Sequence, residues 1–386
     1  MKVLFVFLFI ALGCQTLQLN AQEQPETVHS IIKVYKTFEW YETQFNLWEK
    51  ETKANPKNEK AWENLYAAAR MAKIMAKDET EREAWLKKMQ GVIKGIEKNI
   101  PETYAYYFIK AWDSSIWEAK NEKEKETIEG YSLKAYALDP SRPDVYPDLM
   151  NIYMVEQNHA KIKEIAKQWY ATKDISANVY ALNYNMLMST TKNAILLTAG
   201  DNDTYPAIVL QNAANLRQDI TIINIYLATF SADYRNNIFA QINIPALEGE
   251  IDKMGLINHI VAHKDNLPLY FAFGSEFGEN EKLQDYLYNV GLAMYYTEYD
   301  FNNTSALIHN FENRFLIDHL KFNFITPQFP EQVKRHNLSY VPGLMQLYWH
   351  YKTTEQTSKQ EEIKSIVLSL VANTDHEKKI KVNFEQ

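Results

Sequence analysis

The sequence predicts an α+β protein that is mostly α: helical hairpins come first, then a small α/β sheet, then C-terminal helices. Three observations predict this order. Residues 28–190 contain few Gly and Pro residues, and their apolar side chains recur every three or four positions. Residues 193–300 alternate β-branched runs with helical segments. From residue 303 onward the helical spacing returns.

The chain begins with a predicted signal peptide over residues 1–21. Lys2 supplies the positive charge, and Val3–Gly13 is an apolar run too short to span a bilayer. Cleavage after Ala21 would give a soluble exported protein, whereas a lipobox ending at Cys14 would give a lipoprotein. We therefore expect a periplasmic or outer-membrane-associated protein, with membrane attachment only through a lipid on Cys14.

Composition excludes several classes of function. The net charge of −8 opposes nucleic-acid binding, which needs a basic surface. Cys14 is the only cysteine, so the mature chain has no disulfide within it and no cysteine metal site. With 46% hydrophobic residues, the chain has ample material for stability by burial alone.

The helical domain is predicted over residues 22–190, and two of its segments begin in the same way. The turns Asn55–Asn58 and Asp139–Pro143 precede the helix starts Ala61–Tyr66 and Val145–Met150. An aromatic residue followed three positions later by Leu, after a Pro-containing turn, resembles the first helix of a tetratricopeptide repeat. We predict about four tetratricopeptide-like helical hairpins, whose concave surface would bind a protein partner. A generic helical bundle is the alternative.

A small α/β domain is predicted over residues 191–302. Ile195–Thr198 is a short apolar run typical of a buried parallel strand, and Ile220–Tyr226 is a second β-branched run. Ala207–Leu216 has helical spacing between them, and Asp201–Pro206 is predicted to be the turn that joins the first strand to this helix. The segment is therefore a predicted βαβ unit.

Later runs complete the predicted sheet and the C-terminal part. Leu267–Phe273 and Val290–Thr297 are β-rich, with a helix expected over Asn280–Tyr288, and we expect about four strands in a parallel or mixed sheet. Residues 303–386 are predicted to be a C-terminal helical segment. The charged tail after Asn373 is expected to be frayed.

The predicted turn carries the main candidate site. Ligands of open α/β sheets bind at the carboxyl ends of the strands, which is where this turn lies. Two carboxylates in the D-x-D pattern, with an amide between them, suit a divalent cation that prefers oxygen ligands. We therefore take Asp201 and Asp203 as candidate metal ligands, and the candidate ligand-binding residues are Gly200, Asp201, Asn202, Asp203 and Thr204.

Structural explanations of the same turn remain open. Asp and Asn cap helix N-termini, and a proline such as Pro206 is favoured in the first turn of a helix. On this interpretation at least one residue of Asp201–Asp203 accepts hydrogen bonds from amides of the following helix. Gly200 would be needed if its φ is positive. A phosphatase of the haloacid dehalogenase type is disfavoured, because Thr204 lies one residue too early.

Other catalytic patterns are incomplete. His259 and His263 are four residues apart and could share a metal on a helix, but exposed helix histidines explain them more simply. The chain has no G-x-S-x-G elbow and no glycine-rich phosphate loop. We therefore expect a protein without catalytic activity.

Part of the chain resembles a known family. The residues that carry the resemblance are Gly200–Pro206, Arg217–Ile220 and Ile223–Asn224. They resemble the soluble C-terminal region of a bacterial membrane-protein family of unknown function that looks like protein O-mannosyltransferases. The similarity runs from Asn193 to about Phe322, and it implies a small α/β segment beside tetratricopeptide-like helices. It does not extend to the multi-pass transferase half, so it implies kinship of an accessory domain and no transferase activity.

The sequence thus favours an exported, non-catalytic scaffold or binding protein of the cell envelope. The alternative is divalent-metal-dependent binding or transfer of a glycan or nucleotide-sugar at the turn that holds Asp201 and Asp203.

Overall fold

The structure is a computed structural model that describes residues 24–114, 119, 121–272, 281–322 and 326–385. It confirms the predicted fold class, since helical hairpins and C-terminal helices flank one small mixed sheet. The predicted signal peptide and Cys14 lie outside the described residues. None of the described helices combines the length and apolar character needed to cross a membrane.

The elements follow in chain order. The helices before the sheet are α1 (Phe38–Ala54), α2 (Glu59–Ile74), α3 (Glu79–Asn99), α4 (Tyr104–Asp113), α5 (Glu122–Leu138), α6 (Tyr146–Val155), α7 (His159–Thr172) and α8 (Ala177–Ser189). The sheet region contains β1 (Ile195–Thr198), α9 (Asp201–Ala213), β2 (Thr221–Asn224), α10 (Ile225–Phe230), α11 (Ala232–Gln241), α12 (Lys253–His263), β3 (Leu269–Ala272), α13 (Glu281–Gln284), β4 (Leu287–Asn289) and β5 (Ala293–Tyr296). The C-terminal helices are α14 (Asn303–Asn313), α15 (Asp318–Lys321), α16 (Pro330–Asn337), α17 (Val341–Thr353), α18 (Thr357–Val371) and α19 (Glu377–Glu385).

The helices of the array start where the sequence places cap residues. Asn58 accepts a hydrogen bond from the Ala61 amide at 3.2 Å and so caps α2, and Thr37 caps α1 in the same way. The apolar stripe of α2, which includes Trp62 and Leu65, is buried against neighbouring helices. Local capping and amphipathic spacing therefore define these helices, and their burial holds them together.

Buried apolar residues form two clusters that meet at α4. One cluster is built from α1 to α4, and the other extends from α4 through the sheet to α19. The domain boundaries predicted after residues 190 and 302 remain predictions, because the second cluster runs across both positions without interruption.

The sheet has the strand order β2-β1-β3-β5-β4. β1 pairs in parallel with β2 and β3, and β5 pairs antiparallel with β3 and β4. β1 and β3 are buried along their whole length, as expected for central strands that are covered on both faces. The described sheet contains five strands where about four were predicted.

Two sheet predictions were wrong in detail. The run Val290–Thr297 is not one strand: Gly291, at φ +132°, turns the chain between β4 and β5. The helix expected over Asn280–Tyr288 is limited in the described chain to the short α13, because the residues after it pair as β4. The apolar composition of Val290–Thr297 did not show that Gly291 within it reverses the chain.

The C-terminal tail is ordered, and the expectation of fraying was wrong. Its last helix, α19, places Phe384 against Tyr348 of α17, with the ring centroids 4.6 Å apart. This contact buries Phe384, and Ile380 of the same helix also packs against the core, so apolar residues within a charged segment hold the helix in place.

Candidate functional site

The segment Asp201–Pro206 forms the first turns of α9, so the prediction that it is the turn itself was wrong. Only Ala199 and Gly200 connect β1 to the helix. The prediction that this segment lies at the carboxyl end of a buried strand is confirmed. Pro206 lies inside the helix, beyond the first turn where it was expected.

Asp203 holds the end of the strand in place. Its carboxylate accepts the Gly200 amide at 2.7 Å and the Ala199 amide at 3.2 Å. These donors precede the helix, whereas the helix-cap interpretation expected donors from the following turn. Gly200 has φ −116°, so its position requires no positive φ. Burial raises the pKa of Asp203 to about 6, although hydrogen bonds from the Ala199 and Gly200 amides and Thr204 oppose the shift.

Thr204 joins the two parallel strands. Its Oγ1 lies 2.8 Å from Thr198 Oγ1 at the end of β1, and it accepts a hydrogen bond from Asn224 Nδ2 at the end of β2, 2.9 Å away. Thr204 is fully buried. Its role in the structure is therefore to fix the spacing of β1 and β2 at the edge where α9 begins.

A second segment that carries the family resemblance, around Arg217 and Asp219, also has a structural role. Arg217 binds the carboxylate of Asp219 through two nitrogens, at 2.9 and 3.0 Å. It also donates to the carbonyl of Leu187 in the last turn of α8 and to the carbonyls of Thr190 and Thr191 just after that helix. The hydrogen bonds from Arg217 are the main reason that the pKa of Asp219 is lowered to about 2. This ion pair fastens α8 to the segment before β2.

Asp201 differs from Asp203 because it faces open space. Residues two apart in a helix point roughly 200° away from each other, so these two carboxylates leave α9 on opposite sides. Asp201 lines a cavity, and among the described residues its carboxylate accepts no hydrogen bond and forms no ion pair. Asp201 is exposed to solvent, and the neighbouring protein, which partly desolvates its carboxylate, raises its pKa. The structure therefore does not bring the two candidate metal ligands together.

The cavity lies between the helical array and the sheet, and we call it the junction cavity. Its volume is about 590 Å³. Asp148 and Asn151 of α6 line it from one side, and Asp201 and Tyr205 of α9 line it from the other. Because each pair is three or four residues apart, each presents both of its side chains from one helix face. Asn151, Asp201 and Tyr205 also line a neighbouring cavity of about 720 Å³.

Asp148 is the second carboxylate of the junction cavity. Burial raises its pKa to about 6, and the nearby negative charge of Asp201 adds to the shift. Ser132 Oγ, 3.2 Å from the carboxylate, and the positive charge of Arg70 oppose it. Asp148 and Asp201 thus share one cavity and influence each other's charge.

Aromatic rings form part of the cavity wall. Trp112 and Trp169 both line it, and Trp169 packs against Tyr205 with centroids 5.7 Å apart. The guanidinium of Arg70 lies 5.1 Å from the centroid of the Trp112 ring and donates to the Trp112 carbonyl at 3.1 Å. Aromatic rings therefore form an apolar part of the wall in the cavity that holds the two carboxylates.

Most other charges of the cavity are paired with one another. Arg142 binds Glu63 through two nitrogens, at 2.8 and 2.9 Å, and also contacts Asp144 at 3.0 Å. Lys33 forms an ion pair with Asp174. These pairs leave Asp148 and Asp201 as hydrogen-bond acceptors that a bound molecule can use.

Each of the two histidines considered as a metal pair has a hydrogen-bond partner on the backbone. The rings of His259 and His263 are 4.4 Å apart. His259 Nε2 lies 2.8 Å from the Pro245 carbonyl, and His263 Nδ1 lies 2.9 Å from the His259 carbonyl. Within the part of the chain that the structure describes, no group of three or more His, Cys, Asp or Glu residues is arranged to hold a metal ion.

Comparison with known proteins identifies one segment. Residues 179–234 match the family described as TMEM260-associated domain 2. The match is consistent with kinship to a family related to TMEM260. No curated protein and no solved structure matches the chain. The matched segment contains Asp201 and Tyr205, while Asp148 and Asn151 lie outside it.

Sequence reasoning found one side of the cavity and missed the other. Asp201 was a candidate, but Asp148, Asn151 and Tyr205 were not. One signal was present: Asp148 is the only charged residue of helix α6, whose other residues are apolar or aromatic except for Asn151. Asp148 becomes part of a site only when α9 packs nearby, and α9 follows more than forty residues later in the chain.

Proposed function

We propose that this protein is an exported, non-catalytic binding protein that holds a hydroxyl-rich ligand of the glycan type in the junction cavity. The observation that carries the proposal is that Asp148 and Asp201 line one cavity, and neither carboxylate has an ion-pair partner among the described residues. Export rests on the predicted signal peptide.

The chemistry of the wall favours such a ligand. Carboxylates only accept hydrogen bonds when ionised, so they select molecules that present several donors. Trp112 and Trp169 contribute apolar surface to the cavity wall, against which the C–H groups of a sugar ring can pack. A cavity of about 590 Å³ lies within the usual range for small-molecule sites.

The alternative of a divalent cation held by Asp201 and Asp203 has weaker support. Asp203 is occupied by the Ala199 and Gly200 amides, and the helix separates it from Asp201. Nucleotide-sugar binding or transfer through that pair would require Asp203, whose two oxygens already accept these amides, to turn toward Asp201 on the other side of the helix.

The test is ligand binding by the full chain, followed by calorimetry and thermal unfolding. The panel contains neutral mono- and oligosaccharides and nucleotide-sugars, each with and without Mg²⁺ or Mn²⁺. A ligand at a hundredfold excess over its Kd should stabilise the folded state by about 2.7 kcal/mol. Asp148→Asn and Asp201→Asn should weaken binding, whereas Asp233→Asn, at an exposed site on α11, should not. The proposal fails if no glycan binds, or if binding is unchanged in both cavity variants. A requirement for metal together with equal losses in Asp201→Asn and Asp203→Asn would favour the alternative.

The helical array is the part of the molecule that we propose for a protein partner. Helices α1 to α5 precede the cavity-lining helix α6 and provide a long surface of the kind that helical arrays use for binding. A partner bound there should be lost when exposed array residues are changed and retained in Asp201→Asn, as measured by co-purification from envelope extracts. If every array variant still co-purifies with the partner, the partner does not bind this surface.

A further inference from the structure

We propose that residues 24–34, here called the strap, are a removable cover of the junction cavity, and that the groove of α1 and α2 which holds the strap is a binding site for extended peptide backbone. The first part rests on the proposed function only in treating the cavity as a ligand site. The second part is independent of any ligand in the cavity.

The groove binds the strap through its backbone. Gln44 of α1 accepts the Glu26 amide at 2.7 Å, and Asn64 of α2 accepts the Val28 amide at 2.7 Å. Trp48 Nε1 donates to the Glu26 carbonyl at 2.8 Å. The bound amides are two residues apart, which is the period of an extended chain. This part of the strap is therefore held as an extended peptide.

The groove is a built site. Gln44 is 3% exposed and Asn64 is 5% exposed, and each directs its side-chain oxygen at a strap amide. Buried amide side chains are costly without hydrogen-bond partners, so these two favour an occupied groove. Val28 is buried with the apolar cluster of α1 to α4 and anchors the strap there.

The other end of the strap is fastened to different elements. The Ile32 carbonyl accepts hydrogen bonds from Gln332 at 2.9 Å and Arg335 at 3.2 Å, both on α16, and from Asn202 of α9 at 3.4 Å. Lys33 forms the ion pair with Asp174 after α7. The strap thus spans from the array to the sheet region.

Between these two attachments the strap forms a wall of the junction cavity. The strap residues that line the cavity are Thr27, Val28, His29, Ser30, Ile32 and Lys33. The strap contains no helix or strand, so it can leave without breaking a regular element. The strap is attached through contacts with side chains and not through a backbone ladder, and segments held in this way open more readily than core helices. Release of the strap would open the cavity and expose the groove together.

The first experiment measures release by hydrogen exchange on the full chain. In the wild type, the Glu26 and Val28 amides should exchange at least about tenfold more slowly than an unprotected amide. Val28→Lys places a charge at the buried anchor and should remove this protection. Tyr35→Lys is the matched control, since Tyr35 is exposed just beyond the strap. Unprotected wild-type amides, or equal protection in Val28→Lys, would overturn the proposal.

The second experiment measures access to the cavity without a glycan. Ala67→Cys places a thiol on the cavity wall, and Cys14→Ser makes it the only thiol of the chain. Adding Val28→Lys should speed labelling by a maleimide about tenfold, and adding Tyr35→Lys should not. Equal rates would show that the strap does not cover the cavity. If Val28→Lys does not fold, Lys33→Ala with Arg335→Ala should produce the same acceleration from the opposite end.

The third experiment tests the groove. A fluorescent peptide with the sequence of residues 24–34 should bind the full-length Val28→Lys variant, and it should bind the wild type far more weakly. A scrambled peptide should bind neither, and adding Asn64→Ala to Val28→Lys should abolish binding. Equal binding of the native and scrambled peptides would show that the groove is not a specific peptide-binding site. Because no sugar is present in any of these experiments, their failure is distinct from failure of glycan binding.

Discussion

Asn183 Nδ2 donates a hydrogen bond to the backbone carbonyl of Asn202 at 2.7 Å. In a regular helix this carbonyl would accept the amide four residues later, but that residue is Pro206, which has no N–H. Asn183 is fully buried in α8 and supplies the missing donor from a neighbouring helix. The interaction allows a proline inside α9 without leaving a buried carbonyl unpaired.

Asn183→Leu should therefore lower the free energy of unfolding by about 1–3 kcal/mol, because it leaves the Asn202 carbonyl without a donor. In a Pro206→Ala background the loss should be smaller, since the alanine amide can bond to that carbonyl. Urea unfolding of the four proteins in a double-mutant cycle measures the coupling. If the effects of the two substitutions on the free energy of unfolding are additive, Asn183 does not replace the donor that Pro206 lacks.

The two carboxylates at the start of α9 should respond in opposite ways to substitution. Asp203→Ala should cost about 1–2 kcal/mol, because the Ala199 and Gly200 amides lose their acceptor. Asp201→Ala should be neutral or slightly stabilising, because the exposed and only partly desolvated carboxylate has no hydrogen-bond or ion-pair partner in the described chain. Chemical denaturation in the absence of ligand measures both. Equal losses in the two variants would contradict this division of roles.

The pH dependence of stability should reveal Asp148. Its pKa is about 6 in the folded chain, above the usual value of 3.8. The contribution of Asp148 is therefore fully present below the unfolded pKa and is lost as pH rises through about 6. The stability of the wild type minus that of Asp148→Asn should fall by about 2 kcal/mol between pH 4 and pH 7.

This difference isolates Asp148, together with its interaction with Asp201, from the other buried groups. Asp203 titrates in the same direction, and His336, whose pKa is lowered to about 4 by burial, titrates in the opposite direction. Both are present in each protein, so their contributions cancel. A difference that is flat from pH 4 to pH 7 would show that Asp148 is not desolvated.

Two glycines should differ in their tolerance of a methyl group. Gly291 has φ +132°, and a Cβ there would lie 2.5 Å from Cζ of Phe315. Gly291→Ala should therefore cost about 2–3 kcal/mol. Gly200 has φ −116°, and its nearest neighbour would be Asp203 Oδ1 at 3.6 Å, so Gly200→Ala should change stability by less than about 0.5 kcal/mol. Thermal unfolding of both variants checks the contrast, and a severe loss at Gly200 would contradict it.

Local patterns in the sequence were sufficient for much of the fold. Apolar spacing predicted the helices around Trp62 and Leu149, and Asn58 marked a helix start, because these features depend only on neighbours within a turn or two. The strand Ile195–Thr198 and the position of Asp201 at its carboxyl edge followed from the same short-range reasoning. The mostly α fold class was therefore determined by the sequence alone.

Tertiary structure decided which of those residues meet. Asp148 and Asp201 share a cavity only because α6 packs near α9, and the strap reaches Asn64 across 36 positions. Periodicity shows which face of a helix is buried, but it does not show which element covers that face. For the same reason, the partner that Asn183 provides for the Asn202 carbonyl, and the burial of Phe384 against Tyr348, were accessible only from the folded chain. Such contacts depend on long-range packing, which short-range spacing does not encode.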